Sequence, residues 1–316
     1  MGRVKEIYSE EKCEEVTTYV SAKEKIKDPS LAKKYYDLVT DFYEFGWGKS
    51  FHFAPQKKNE SMNEAMLRYE LKMVDALKLK PGMKVLDVGC GVAGPMKNIA
   101  KKSGSNITGL NINEYQLKKA KAYIEKHGLE KTCDFLHGTF MGVEMPDASY
   151  DAIYAVEATP HAPDKTACYK EMYRLLKPGA CFAGYEYVLL ENFDEKNSEH
   201  VLIMEDLEHG GCLQRVPPLE EVKQAFIDAG FKIIELHDDC TEGYSWTLPL
   251  EKGFTSSKVG RFLTNIFVRV LEFFRIAPKG TTDVSSFLNA GADAFVEAGK
   301  RRLFTPNLFF LVQKPE

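Results

Sequence analysis

Beyond Met83 the chain alternates short apolar runs with stretches of helical periodicity, and that alternation limits the fold more than any other feature of the sequence. Residues 83–89 (MKVLDVG), 106–110, 133–136, 150–156 and 180–188 read as strands, with helices between them at 95–102, 114–127 and 165–176. A helix at 219–229 and a strand at 231–236 follow, and a last strand at 307–312 (NLFFLV) comes only after a long insertion. Strands joined through helices of this length form βαβ units, which build a mainly parallel sheet. Ahead of the first strand, residues 1–80 are charged and helical in pattern. Asp28-Pro29 marks a break there, and residues 61–79 carry Met66, Tyr69, Met73 and Leu77 at helical spacing before Pro81-Gly82 closes the run.

A length of 316 residues fits about two domains, or one large α/β domain with extensions. The pattern divides into a helical extension over 1–80, a core over 81–240 and a C-terminal region over 241–316. A net charge of −4 argues against a general nucleic-acid binder, because phosphate affinity needs a basic face. Seven cysteines lie scattered without C-x-x-C pairing, and the charged opening MGRVKEIYSEEKCEEV is not a signal peptide, so free thiols in a reducing compartment such as the cytosol are expected. No apolar stretch reaches the roughly 18 residues of a membrane span. His200, His209 and His237 share no ligand spacing, and no metal site is read.

Within the insertion, Val259, Phe262, Leu263, Ile266, Phe267, Val270, Leu271 and Phe274 form one apolar stripe, with Arg261, Arg269 and Arg275 on other faces. Such a stripe is more often core, and a helix packed on the sheet or the N-terminal extension is the favoured expectation. An interfacial helix touching a lipid surface is the alternative.

Residues 85–100 (VLDVGCGVAGPMKNIA) hold Gly89, Gly91 and Gly94 as G-x-G-x-x-G between a strand and a helix. In a βαβ setting this spacing points to a nucleotide-like cofactor. A dinucleotide site places an acid after the second strand for the ribose. Here that strand ends Leu110-Asn111, and the acid, Asp87, instead precedes the glycines. The pattern resembles the first motif of S-adenosylmethionine-dependent methyltransferases, as does Leu176-Lys177-Pro178-Gly179 before the fifth strand. The resemblance implies a Rossmann-like class I fold: a mostly parallel seven-stranded sheet with helices on both faces. It also implies S-adenosylmethionine held by Asp87, Gly89, Cys90, Gly91, Gly94, Asn111, Asn113, Gln116, Thr139, Phe140 and Glu157.

Residues 41–55 (DFYEFGWGKSFHFAP) crowd rings and glycines where neither strand alternation nor a clean helical stripe fits. Together with residues 154–165 (YAVEATPHAPDK), residues 184–200 and the C-terminal part from Gly260, the run resembles the sterol 24-C-methyltransferases. That family methylates a sterol side chain through a carbocation, which then loses a proton. Such a cation needs a dry cavity, negative π-faces and a base. Aromatic rings supply the second at about 0.5–2 kcal/mol each. Tyr43, Phe45, Trp47, Phe51, Phe53 and Tyr187 are therefore the candidate sterol-contacting residues, and the N-terminal extension would contribute to the sterol pocket. Tyr43, Glu44, Trp47, His52, Glu157 and His161 are the candidate catalytic residues. Either histidine suits proton acceptance or anchoring of the sterol hydroxyl, and Glu186 is a weaker acid–base candidate.

Thr139 stands where the family usually carries an acid, Ala93 where it carries glycine, and Pro160 where it carries cysteine. These departures bear on the substrate more than the cofactor. Methyl transfer to carbon, nitrogen or oxygen of another isoprenoid, steroid or small molecule, or a non-catalytic lipid-binding protein on the same fold, is the alternative reading. The resemblance further implies a homo-oligomer on the cytoplasmic side, in peripheral contact with the endoplasmic reticulum or another membrane.

Overall fold

The computed structural model describes residues 29–240, 245–252, 257–277 and 280–316. The chain divides into two compact units. One consists of the described residues of Lys49–Leu190, Pro217–Trp246 and Thr305–Glu316, and the other of the described residues up to Gly48 with those of Glu191–Val216 and Thr247–Phe304.

The first of these units carries the sheet. Its strands are β1 (Lys84–Val88), β2 (Asn106–Asn111), β3 (Cys133–His137), β4 (Tyr150–Val156), β5 (Leu176–Leu189), β6 (Lys232–Asp238) and β7 (Phe304–Gln313). They form one seven-stranded sheet in the order β3-β2-β1-β4-β5-β7-β6. The pairings of β1 with β2 and β4, of β2 with β3 and of β4 with β5 are parallel, and β6 pairs antiparallel with β7. This is the mostly parallel sheet expected from the alternation. Leu86, Val88, Ile153, Phe182 and Phe310 are fully or nearly fully buried in its core, where Tyr169 and Phe226 stack with centroids 4.1 Å apart.

Several helices of this unit start where the sequence supplies a side-chain cap. Ser61 accepts from the Glu64 N–H while the Glu64 carboxylate accepts from the Ser61 N–H, closing a capping box on the helix Met62–Ala76. Asn113 caps Glu114–Lys126 and Asp164 caps Lys165–Leu175. One strand is longer than its apolar run suggests. β5 starts at Leu176, and a register shift between Tyr150 and Ala152 takes up the segment with Pro178 and Gly179, where proline lacks an N–H for the ladder.

In the other unit the helix Pro29–Trp47 contains the first half of the aromatic run, which corrects the reading of residues 41–55 as non-helical. The stripe becomes visible only from further back: Tyr35, Val39, Phe42 and Tyr43 fall at helical spacing and pack with Cys212, Val284 and Phe287. Among the described residues the insertion supplies three helices, here α1 (Leu248–Lys252), α2 (Lys258–Phe273) and α3 (Thr281–Lys300). The apolar stripe of α2 is not core. Val268 is the buried residue of that helix, while Phe262, Leu263 and Phe267 are exposed. The side of α2 that packs on α3 is the polar one: Arg261 bonds to the Asn289 carbonyl and the Asp293 carboxylate, and Asn265 to Ser286. No helix among the described residues is long and apolar enough to cross a membrane.

Candidate active site

β1 ends in a turn built by glycine. Gly89 and Gly91 take φ of +73° and +54°, a region that costs an ordinary residue about 1–2 kcal/mol. A Cβ on Gly89 would collide with the Cβ of Ala158, the residue after Glu157, so the turn lies directly against the tip of β4. A Cβ on Gly94 would collide with the Lys49 carbonyl and the Ser50 hydroxyl, so the second half of the aromatic run crosses the start of the following helix. Gly91 is different, with open space where a Cβ would point. Ala93 sits at a φ of +66°, a strained conformation that a glycine there would relieve.

Asp87, buried in β1, has an Oδ2 without a hydrogen-bond partner among the described residues. Burial pushes its carboxyl up to about 7; the Tyr154 hydroxyl opposes this but lies outside hydrogen-bonding geometry. The Cys90 thiol is likewise raised by burial. Asn111, at the end of β2, donates to Gln116 Oε1 at 2.8 Å and to the Gly91 carbonyl at 3.4 Å, and Asn113 Oδ1 accepts the Gln116 N–H at 2.8 Å. The Thr139 hydroxyl accepts the Met141 N–H at 3.2 Å, and Phe140 packs on the core. A buried carboxylate with an unpartnered oxygen, at the end of a strand that leads into a turn with open space at Gly91, fits an aminated cofactor such as S-adenosylmethionine.

Glu157 closes β4 at a φ of +55°, a conformation rare for a residue with a side chain. Its Oε1 accepts the Phe53 N–H at 2.8 Å and the Tyr69 hydroxyl at 3.1 Å, and its Oε2 accepts the Tyr187 hydroxyl at 2.9 Å. Burial raises this carboxyl to about 7, against the pull of His52 and the three donors. Tyr69 stacks on Tyr185 at 3.6 Å and on His52 at 5.1 Å. Asn307 on β7 donates to the Tyr69 oxygen at 3.0 Å and to the Phe53 carbonyl at 2.5 Å, tying the last strand into the same cluster.

His52 is 2% exposed, with Nε2 3.0 Å from Glu70 Oε1. Glu70 also accepts the Ser50 hydroxyl at 2.6 Å and the Asn98 amide. Burial alone would raise the Glu70 carboxyl; the bond to His52, with Ser50 and Asn98 behind it, outweighs burial and holds it below its ordinary value. An ionised carboxylate only accepts, so Nε2 carries the hydrogen, and in the neutral ring Nδ1 keeps a lone pair. That Nδ1 is buried without a partner among the described residues.

The remaining candidates are more dispersed. Phe51 is half-buried, and Phe53 meets Trp246 edge-on at 5.4 Å. Tyr43, Glu44, Phe45 and Trp47 belong to the other unit. There the Tyr43 hydroxyl bonds that of Tyr35 at 2.6 Å, and burial pushes it up to about 12. Glu44 and Trp47 are half-buried, and Phe45 is 65% exposed. His161 ends the short turn Thr159–His161, half-buried. Glu186 is fully engaged by Thr159, Lys165, Tyr169 and the Tyr187 N–H, which makes it an anchor for the segment after β4. Sequence reasoning missed Tyr69, Glu70, Asn98 and Asn307. Among the described residues no cluster of His, Cys, Asp and Glu could hold a metal ion.

Comparison with known proteins decides the family. Residues 252–316 match the sterol methyltransferase C-terminal model, and residues 23–261 match the mycolic acid cyclopropane synthetase model. The chain is 46% identical to cycloartenol-C-24-methyltransferase of Arabidopsis thaliana, over 90% of this chain and 87% of that protein. The chain belongs to the sterol 24-C-methyltransferase family. A second member, the sterol 24-C-methyltransferase ERG6B of Gibberella zeae, is 41% identical over 91% of this chain and 80% of its own length. As a member of this family the protein is an S-adenosylmethionine-dependent methyltransferase. The fold agrees: mycolic acid cyclopropane synthase CmaA1, solved with SAH and CTAB, superposes with a TM-score of 0.73 at 16% identity, covering 90% of this chain and 98% of that one.

Proposed function

We propose that the protein methylates C24 of the side chain of a Δ24 sterol, leaving a cation that then loses a proton. The names of the family relatives support the substrate. The observation that carries the chemistry is the Glu157 carboxylate, held by Phe53, Tyr69 and Tyr187 one residue before Ala158, which abuts the glycine turn.

Asp87 would accept the amino group of the cofactor at its orphaned Oδ2, with the turn at Gly89 and Gly91 giving close backbone approach. When bound, S-adenosylmethionine supplies a methyl group on a positively charged sulfur. In its ionised form Glu157 then presents negative charge where positive charge develops on the sterol, at little reorganisation cost because its donors already hold it. The rings of Tyr69, Tyr187, Phe51 and Phe53 exclude water and offer π-faces. His52 accepts the released proton at Nδ1, and Glu70 keeps the ring in the tautomer that can do so. Contact with a lipid surface, from which a sterol would be drawn, and self-assembly complete the reading.

Incubation with methyl-labelled donor and a Δ24 sterol tests it. The expected product carries the label on carbon at C24. Label on a heteroatom, or none in any sterol, contradicts the assignment.

A further inference from the structure

We infer that the exposed face of α2 is a docking surface for an anionic lipid bilayer, with the helix lying among the headgroups. The proposal deepens the reading above, and its choice of a lipid partner rests in part on a sterol being the substrate.

Val259, Phe262, Leu263, Ile266, Phe267 and Val270 are between 45% and 69% exposed. At 3.6 residues per turn they share one side of the helix. Phe273, Phe274 and Ile276, at 65–81% exposure, carry the same surface past the helix end. Isolated exposed apolar residues need no explanation, but a contiguous ledge of this kind marks an interaction site. The ledge is not a helix awaiting its own core, because Arg261 and Asn265 already fasten the opposite side to α3.

Charge selects the partner. Lys258, Arg269 and Arg275 are exposed around the ledge. The one acid of the helix, Glu272, is turned inward, its oxygens accepting the Gly280 and Thr282 N–H groups. The surface is therefore basic on a chain whose net charge is −4. A two-fold contact between copies would set this basic rim against itself. An anionic bilayer satisfies both features, taking the apolar side chains into the acyl boundary and the cations at the phosphates. With 16 residues and a polar back, α2 lies on such a surface and does not span it.

The test is flotation of the full chain with phosphatidylcholine vesicles, with and without phosphatidylserine. The parent should float with the anionic vesicles, less so as salt is raised. An R269E/R275E variant should lose at least about tenfold in apparent affinity, given the roughly fivefold factor that each basic side chain is worth at an anionic surface. A Phe267→Ser/Phe273→Ser variant should stay with the buffer while melting at the parent's temperature, since both rings face solvent. Failure of the parent to float overturns the proposal, as does floating by the charge variant equal to that of the parent. A parent dimer that falls apart in the phenylalanine variant, with no vesicle binding, assigns the face to self-association and overturns it too. Turnover of detergent-dispersed sterol is read in parallel. Absent turnover with vesicle binding intact counts against the sterol reading alone, and intact turnover without vesicle binding counts against the docking surface alone.

Discussion

The Phe53 N–H donates to Glu157 Oε1 at 2.8 Å across 104 residues of sequence. One bond thereby joins the aromatic run, by its backbone, to the tip of β4, the strand that abuts the glycine turn. Asn307 repeats the connection from the far end of the chain, through the Phe53 carbonyl and the Tyr69 hydroxyl. Three distant segments thus hold one carboxylate in a fixed orientation, and removing any one of them would leave a buried polar group short of a partner.

Stability should carry the mark of the two raised carboxyls. Asp87 and Glu157 titrate near pH 7 in the folded chain, against ordinary values of 3.8 and 4.5. Across that window the folded state binds more protons than the unfolded one, so their contribution makes stability fall as pH rises, by up to about 1.4 kcal/mol per pH unit for each group. Melting temperature should therefore decline from pH 5.5 to 7.5, and Asp87→Asn should flatten the decline. Saturating S-adenosylmethionine should flatten it as well, because its ammonium favours the ionised Asp87. An unchanged slope in the variant would remove Asp87 from the account.

Glu70 is a positioning residue, acting through His52. Glu70→Gln should lower kcat by roughly ten- to a hundredfold while KM stays within about threefold, since a proton acceptor matters along the reaction path and not in substrate binding. Glu186 is equally buried and equally well bonded. Its glutamine variant should lose stability, by about 1–3 kcal/mol, without that kinetic split. Steady-state kinetics and melts on both variants separate the two roles; the same kinetic pattern in both would make Glu70 merely structural.

Much of this was legible beforehand, and the misses have physical causes. The strands and the glycine turn announce themselves because a parallel strand is apolar along its length and a sharp turn needs glycine. Glu70 was overlooked although it stands one residue after Tyr69 and four after Met66, on the buried stripe of its helix. An acid on an apolar stripe was the available signal. Asn307 gave none, because its partners lie 238 and 254 residues away. The stripe of α2 misled for a different reason. Periodicity shows that a helix has an apolar side, and only three-dimensional packing shows whether that side is covered.

The glycines of the turn should separate folding from binding. Gly94→Ala places a methyl against the Lys49 carbonyl, a backbone group with little freedom to retreat, so a clear drop in melting temperature is expected. Gly91→Ala meets no neighbour and bears only its left-handed backbone cost of about 1–2 kcal/mol, yet its methyl would occupy open space at the turn proposed to receive the cofactor. Calorimetry should show S-adenosylmethionine affinity falling at least about tenfold in Gly91→Ala, one lost decade corresponding to about 1.4 kcal/mol. Undiminished affinity would place the cofactor elsewhere.

The central claim is that Glu157 offers fixed negative charge to a transient cation, and a stable mimic of that cation tests it most directly. A sterol whose side chain carries an ammonium at the position of the cationic carbon should bind at least about tenfold more tightly than its uncharged counterpart, as transition-state mimics do. In Glu157→Gln the two should bind alike. Equal affinity of the two sterols for the parent, or a preference for the ammonium that survives in the variant, would contradict the account.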